Sequence, residues 1–256
     1  MNNIEIKILN PEAVQSSEQM MVTAARLTQR GHNIHNLQDF MDLYSKPYSK
    51  KLVDDLTLLP HPTIQKFGVI NVVVVGASRR FLAQITRHQN EIKFMSASCQ
   101  YSDYSHEADF VIPYEILDND AAKVQYIQSC TDSLAMYEEA ICNGVDHDSA
   151  AYMLPQGLRN ILIMSATPYQ WKHMMLQRTC RRNTSETRYV MLLIWQELIK
   201  LNPELFAPKT TGPFCQRGKC LEGKMACHNP IVSTMSPAYI ILSDFPKLIK
   251  QYKEEK

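Results

Sequence analysis

The chain has 256 residues, 45% hydrophobic and 21% charged, with 27 basic and 26 acidic side chains giving a formal charge of +1. That length and composition suit a globular chain with a sizeable core and exclude a disordered one. So even a balance sets up no global field toward nucleic acid or an acidic membrane, and any anion site must be a local cluster.

The opening MNNIEIKILN has no basic region followed by an apolar core, so it does not read as a signal peptide. Ile4, Ile6 and Ile8 alternate with polar residues and predict a first strand. Residues 16–29 predict a helix that stops at Gly31, and HNLQDFMDLYSKPYS predicts a short helix broken near Pro47. The β-branched run VINVVVV (69–75) predicts a buried strand closed by Gly76, and it is far too short to span a bilayer. In ASRRFLAQITRH, Phe81, Leu82 and Ile85 give a helix an apolar face, while Arg80, Gln84 and Arg87 form a second stripe. ADFVIPYE predicts a short strand, and residues 120–143 a long helix ended by Gly144, which suits a left-handed cap.

Thr167 and Pro168 supply the N-cap and first turn of a helix through YQWKHMMLQRTC. Asn183 with Glu186 matches a capping box opening TRYVMLLIWQELIKL, which stops before Pro203. No repeat, low-complexity tract or linker interrupts the chain, so one mixed α/β (α+β) domain over residues 1–256 is expected. Seven cysteines, an odd number, fit reduced thiols in a cytoplasmic, soluble protein with no membrane and no nucleic-acid partner.

Taken one at a time, the candidate sites are ambiguous. The Arg80/Gln84/Arg87 stripe also reads as a solvated helix face, and His88 as a structural histidine. Arg178, Arg181 and Arg182 in QRTCRRN read either as a surface turn or as a phosphate clamp, because guanidinium forks match phosphate oxygens.

Their order carries more. RHQ (87–89) leads to SCQYS (98–102); HPT (61–63) precedes them; YMLPQGL, HMMLQR and NTSETR follow. This succession resembles the flavin-dependent thymidylate synthase family, whose signature is Arg-His-Arg, a spacer, then Ser-x-Arg-Tyr, over about residues 20–206. The chain departs from the pattern where Gln89 and Gln100 replace arginines, where Lys66-Phe67 stand for Glu-His, and where Ala151 replaces an arginine. Arg159, Arg181 or Arg182 are the candidates to restore the missing charge.

The resemblance implies a twisted sheet flanked by helices, of the thymidylate synthase-complementing type, in a homotetramer whose sites are assembled between subunits. His61, Thr63, Arg87, His88, Gln89 and His173 would contact FAD; Gln84, Ser98, Gln100 and Arg178 would hold dUMP; Arg178, Ser98 and His88 would serve catalysis. Methylenetetrahydrofolate and NADPH would be co-substrates, and reduced flavin would provide a hydride to the pyrimidine C5 without a protein thiolate. The rivals are a related C5 modification such as hydroxymethylation, another pyrimidine nucleotide as substrate, and a non-catalytic nucleotide- or RNA-binding protein on the same scaffold.

Beyond these motifs lies a cysteine-rich stretch at 212–230. Cys215, Cys220, Cys227 and His228 have the residue types of a zinc site without its tight spacing, so loop cysteines with no ligand role are the alternative. Cys227 followed by His228 also raises a nucleophilic cysteine, which the flavin route does not need.

Overall fold

A computed structural model describes residues 1, 3–105 and 109–249. In chain order the strands and α-helices are β1 (Glu5–Ile8), α1 (Glu12–Arg30), α2 (Leu37–Ser45), α3 (Lys50–Leu58), β2 (Ile70–Ser78), α4 (Arg79–Ile85), β3 (Ile92–Ser96), α5 (Asp120–Cys142), α6 (His147–Ala150), β4 (Arg159–Ala166), α7 (Pro168–Arg178), α8 (Ser185–Leu201) and α9 (Pro237–Asp244). Among the described residues the four strands form one antiparallel sheet in the order β1-β2-β4-β3. No helix among them is long and apolar enough to cross a membrane.

One face of the sheet makes the core. Ile70, Val72 and Val74 of β2 sit opposite Ala166, Met164 and Leu162 of β4, and all six are buried. Against them pack α4 and α8, where Val190, Met191, Ile194, Trp195 and Leu198 are fully buried. The Trp171 indole N–H on α7 donates to the Ile70 carbonyl at 3.2 Å, so a large ring enters the core with its polar group satisfied.

The other face is different. Val75, Ile161, Ile163 and Met95 point outward on neighbouring strands and are 38%, 50%, 41% and 73% exposed. The run at 69–75 is therefore not a strand buried on both sides: it alternates, because helices cover only its inner face. Nor does Gly76 close it. The strand continues to Ser78 through a bulge at Gly76, where φ is +83° and a Cβ would lie 2.5 Å from the Asn3 carbonyl oxygen. Glycine is needed there, for a bend inside the strand rather than a stop.

The second helix ends at Ser45, just before Pro47 as expected, and its capping box is Asn36 with Asp39. Two other local expectations change. Within ADFVIPYE, of which Ala108 lies outside the described residues, an isolated bridge between Phe110 and Leu158 replaces a strand. The box expected from Asn183 and Glu186 does not form, since Thr184 is the N-cap of α8 and makes no side-chain cap bond. Glu186 instead reaches back across the fold, accepting from the Ser78 amide at 2.7 Å and the Ser78 hydroxyl at 2.6 Å. Ser78 is itself the N-cap of α4, accepting from the Phe81 amide at 3.1 Å. The starts of α4 and α8 are thus tied together. By contrast α5 followed by Gly144 at φ +82°, and α7 capped by Thr167, form where their cap residues predict.

Candidate active site

The link between Ser78 and Glu186 sets α4 beside the α7–α8 turn, and the site grows from that junction. Phe81 and Ile85 anchor α4 in the core, which turns Gln84 toward α8. The hydroxyls of Thr184 and Thr187 lie 2.9 and 2.6 Å from the Gln84 Oε1. With its oxygen held this way, Gln84 presents its NH2 as a fixed double donor. Both threonines lie in NTSETR, a stretch the sequence reading quoted for its resemblance without giving either residue a role.

The α4 helix ends at Ile85, so Arg87 is not on a helical stripe with Arg80 and Gln84. The chain turns there, with the His88 amide donating to the Ile85 carbonyl at 3.1 Å; Arg87 is left exposed while the His88 ring swings inward to 7% exposure. At the end of α7, Arg178 meets it. Its Nε–H donates to His88 Nε2 at 2.8 Å, and an Nη2–H donates to the Gln84 carbonyl at 2.9 Å. A guanidinium can only donate, so His88 Nε2 must carry its lone pair and the ring proton sits on Nδ1. Burial first, then the charges of Arg178, His173 and Arg87, lower the His88 pKa from 6.5 to about 4. At neutral pH the ring is an uncharged donor.

One turn earlier on α7, the His173 ring stands edge-on to His88 with centroids 6.0 Å apart, and Gln177 Nε2 lies 3.2 Å from His173 Nε2. Arg178, His88, His173 and Gln84 therefore form one connected group. Of the remaining candidates, His61 and Thr63 are exposed, on either side of Pro62, which with Pro60 and His173 lines a cavity of about 340 Å³. Gln89 and Gln100 are exposed, and the Gln100 amide donates to the Ser98 hydroxyl at 3.1 Å in a local turn. No contact joins Ser98 or Gln100 to Arg178 among the described residues. Lys66, standing where an acid is common in the resembling family, pairs with Glu91 at 2.5 Å.

The arginines expected to restore lost charge are engaged elsewhere. Arg159 holds Asp109 at 2.5 Å and the Gly76 carbonyl at 2.7 Å. Arg181 forks onto Asp244 at 2.8 and 2.9 Å, with Arg188 on the same carboxylate. Arg182 binds the Met225 carbonyl. A sequence shows these three as free cations; their partners, 43 to 83 residues away in the chain, are invisible in it. Instead Arg79 and Arg80, with Gln84, Ala151 and Gln156, line a cavity of about 630 Å³. Arg80 donates to Gln156 Oε1 at 3.1 Å, while a buried nitrogen of Arg79, Nη1, has no protein partner.

In the tail, Cys215, Cys220, Cys227 and His228 do line one cavity, joined by Cys180. They are not drawn together as ligands: among the described residues no group of three or more His, Cys, Asp or Glu is placed to hold a metal ion. That cavity shares no lining residue with the two above, and neither Arg178 nor His88 lines it.

Comparison with known proteins gives a consistent picture. The family described as Thymidylate synthase complementing protein matches residues 12–204. A flavin-dependent thymidylate synthase of Thermococcus onnurineus is 28% identical over 172 residues, covering 64% of this chain and 69% of the relative. One from Geobacter sulfurreducens is 22% identical over 226 residues, covering 87% and 94%. Among solved structures, the UMP/dUMP methylase PolB from Streptomyces cacaoi, bound with 5-Br dUMP, superposes with a TM-score of 0.62 at 14% identity, covering 80% of this chain and 94% of that one. At that identity the likeness speaks to the fold.

Proposed function

Since the chain belongs to the thymidylate synthase complementing family, we propose that it is a flavin-dependent thymidylate synthase methylating C5 of dUMP, with FAD as cofactor and methylenetetrahydrofolate and NADPH as co-substrates. The observation that carries this reading is the contact of Arg178 with both His88 and Gln84, at 2.8 and 2.9 Å. It joins a neutral imidazole donor, a cation and an oriented amide in one place.

The donor set suits a flavin. The pyrimidine edge of an isoalloxazine is rich in acceptors, and His88 Nδ1–H, the neighbouring His173 and the exposed Arg87 are donors that could meet it. Bound there, reduced flavin would supply the hydride needed to turn a transferred one-carbon unit into a methyl group. The chain's own residues do the rest. Arg178 spends two N–H groups on His88 and Gln84, and its remaining ones face the nucleotide phosphate. The Gln84 NH2 donates to a uracil carbonyl, and His88, neutral with its single ring proton on Nδ1, keeps that donor aimed without gaining a charge. His61, Thr63 and Gln89 complete the flavin contacts, and Ser98 and Gln100 those of the nucleotide. With Ala151 and Gln100 lacking charge, Arg79 and Arg80 supply the cations at the nucleotide's cavity. The apolar outward face of the sheet supports a homotetramer, because an open patch of Val75, Ile161, Ile163 and Met95 is better covered by another subunit than by water.

The same substitutions at Gln100 and Ala151 favour, as a second reading, C5 modification of a different pyrimidine nucleotide. The test starts with the purified protein and its flavin absorbance. It should hold FAD, bleach with NADPH under methylenetetrahydrofolate-free conditions, and convert dUMP to dTMP when the folate is added. Replacing both Arg87 and His88 by Ala should strip the FAD on gel filtration. Full FAD occupancy in that double variant removes these two residues from the flavin site, and turnover of another nucleotide in preference to dUMP selects the second reading.

A further inference from the structure

The cavity of about 340 Å³ that His173 lines is also lined by residues with no part in the Arg178–His88 group. One wall is apolar, built from Leu58, Leu59 and Pro60 at the end of α3, and Tyr169 of α7 faces the same space. The floor is Lys172. It belongs to α7 between Trp171 and Met174, both fully buried, and is itself only 5% exposed. Its Nζ donates to Gln65 Oε1 at 2.8 Å and stands 5.9 Å from the Phe206 ring. An ammonium has further protons to place, and no carboxylate pairs with this one among the described residues.

The nearest charge it feels is another cation. Arg217, an exposed residue lining the same cavity, donates to the Thr210 carbonyl. Burial, and then Arg217, lower the Lys172 pKa from 10.5 to about 7. On the rim, Lys209 is already matched by Asp54 at 2.7 Å. A buried ammonium opposed by a guanidinium and lacking a counterion is unfavourable by itself; a methionine or leucine would fill the same space without desolvating a charge. An anion between the two cations removes both penalties at once.

We propose that this cavity binds a small molecule with an apolar body and an oxyanion at its end, the anion held between Lys172 and Arg217 and the body against Leu58, Pro60 and Tyr169. Arg217 lies beyond residue 204, where the family match ends, so half of the clamp belongs to the tail of this chain. The cavity adjoins the Arg178–His88 group through His173, but the clamp of Lys172 and Arg217 uses no residue assigned to the flavin, so its existence does not depend on the flavin reading. A phosphate ester and a carboxylate share the chemistry required, and both can be presented on the same phenyl body.

The experiment titrates the full chain with phenyl phosphate and, separately, with benzoate, by calorimetry and thermal unfolding at constant ionic strength, with chloride as control. At least one probe should bind saturably and raise the Tm beyond chloride; phenyl phosphate alone identifies a phosphate ester, benzoate alone a carboxylate. Arg217→Gln, at an exposed position, and Lys172→Met, which removes a buried charge, should each fold and each weaken binding at least tenfold. Arg217→Gln should leave FAD content unchanged, which separates this site from the flavin's. No saturable binding of either probe, or affinity that survives both substitutions, overturns the proposal.

Discussion

Replacing Arg178 by Gln should change His88 before it changes anything else. The guanidinium Nε donates to His88 Nε2 at 2.8 Å, and the substitution removes both that donor and the positive charge. The ring pKa stands at about 4 against an ordinary 6.5, with burial the largest cause and Arg178, His173 and Arg87 sharing the remainder. All four act in the same direction, and burial exceeds Arg178, so the arginine accounts for less than half of the difference. Its removal should therefore raise the pKa by about one pH unit, to about 5 and short of 6.5. Bare Coulomb repulsion between the two cations at an effective dielectric of about 20 would suggest roughly three units for charges about 4 Å apart, more than the whole depression, so the bound set by burial is the useful one. Proton–carbon NMR of the imidazole Cε1–H across an acid titration reads this directly, with His88→Gln assigning the peak. The same variant should weaken dUMP binding well over tenfold, because losing a buried charge partner costs on the order of 2–5 kcal/mol. A wild-type His88 titrating near 6.5, or a pKa and a dUMP affinity both unmoved by Arg178→Gln, would refute the reasoning.

Two further outcomes follow from the geometry. Cys227 lines a cavity that neither Arg178 nor His88 lines, so Cys227→Ser should keep FAD- and NADPH-dependent product formation; a folded variant with normal flavin and no turnover, together with a nucleotide adduct trapped on the wild-type thiol, reverses the mechanism. At the acid end, burial alone would raise the Asp244 pKa, but hydrogen bonds from Arg181 and Arg188 hold it down at about 2. Its contribution is complete above the ordinary 3.8 and is lost as pH falls toward 2, roughly 2 kcal/mol at most and about 1 after solvent screening. Urea unfolding of Asp244→Asn across that range should show the difference from wild type shrinking with falling pH; a constant difference removes the carboxylate as its source.

What the sequence made legible were the features whose cause is local. Gly144 and Thr167 announce helix ends because a cap needs only its neighbours. Gly76 misled because the same left-handed φ serves a bulge as well as a stop, and choosing between them requires the partner strand. Asn183 and Glu186 misled for a similar reason: the carboxylate that could cap its own helix finds Ser78, 108 residues away. At the candidate site, the family resemblance put His88 and Arg178 on one list, but residue types alone could not show that one donates to the other and so fixes its tautomer. Lys172 was hidden in the apolar company of WKHMML, where nothing in the order of residues separates a buried ammonium from a snorkelling one.

The tie between Ser78 and Glu186 also puts a clock on the protein's birth. During synthesis at roughly 5–20 residues per second, the 108 residues between them take about 5–20 s to follow Ser78 out of the ribosome. Throughout that interval α4 waits with its first serine unclasped, Gln84 has neither threonine to aim it, and His88 has no arginine on its Nε2. A nascent chain that has emerged only as far as β4 holds all four strands, yet it lacks both the helix that covers their inner face and the threonines that aim Gln84. Closing the core and assembling the Gln84–His88–Arg178 group are thereby deferred together until α8 has been made.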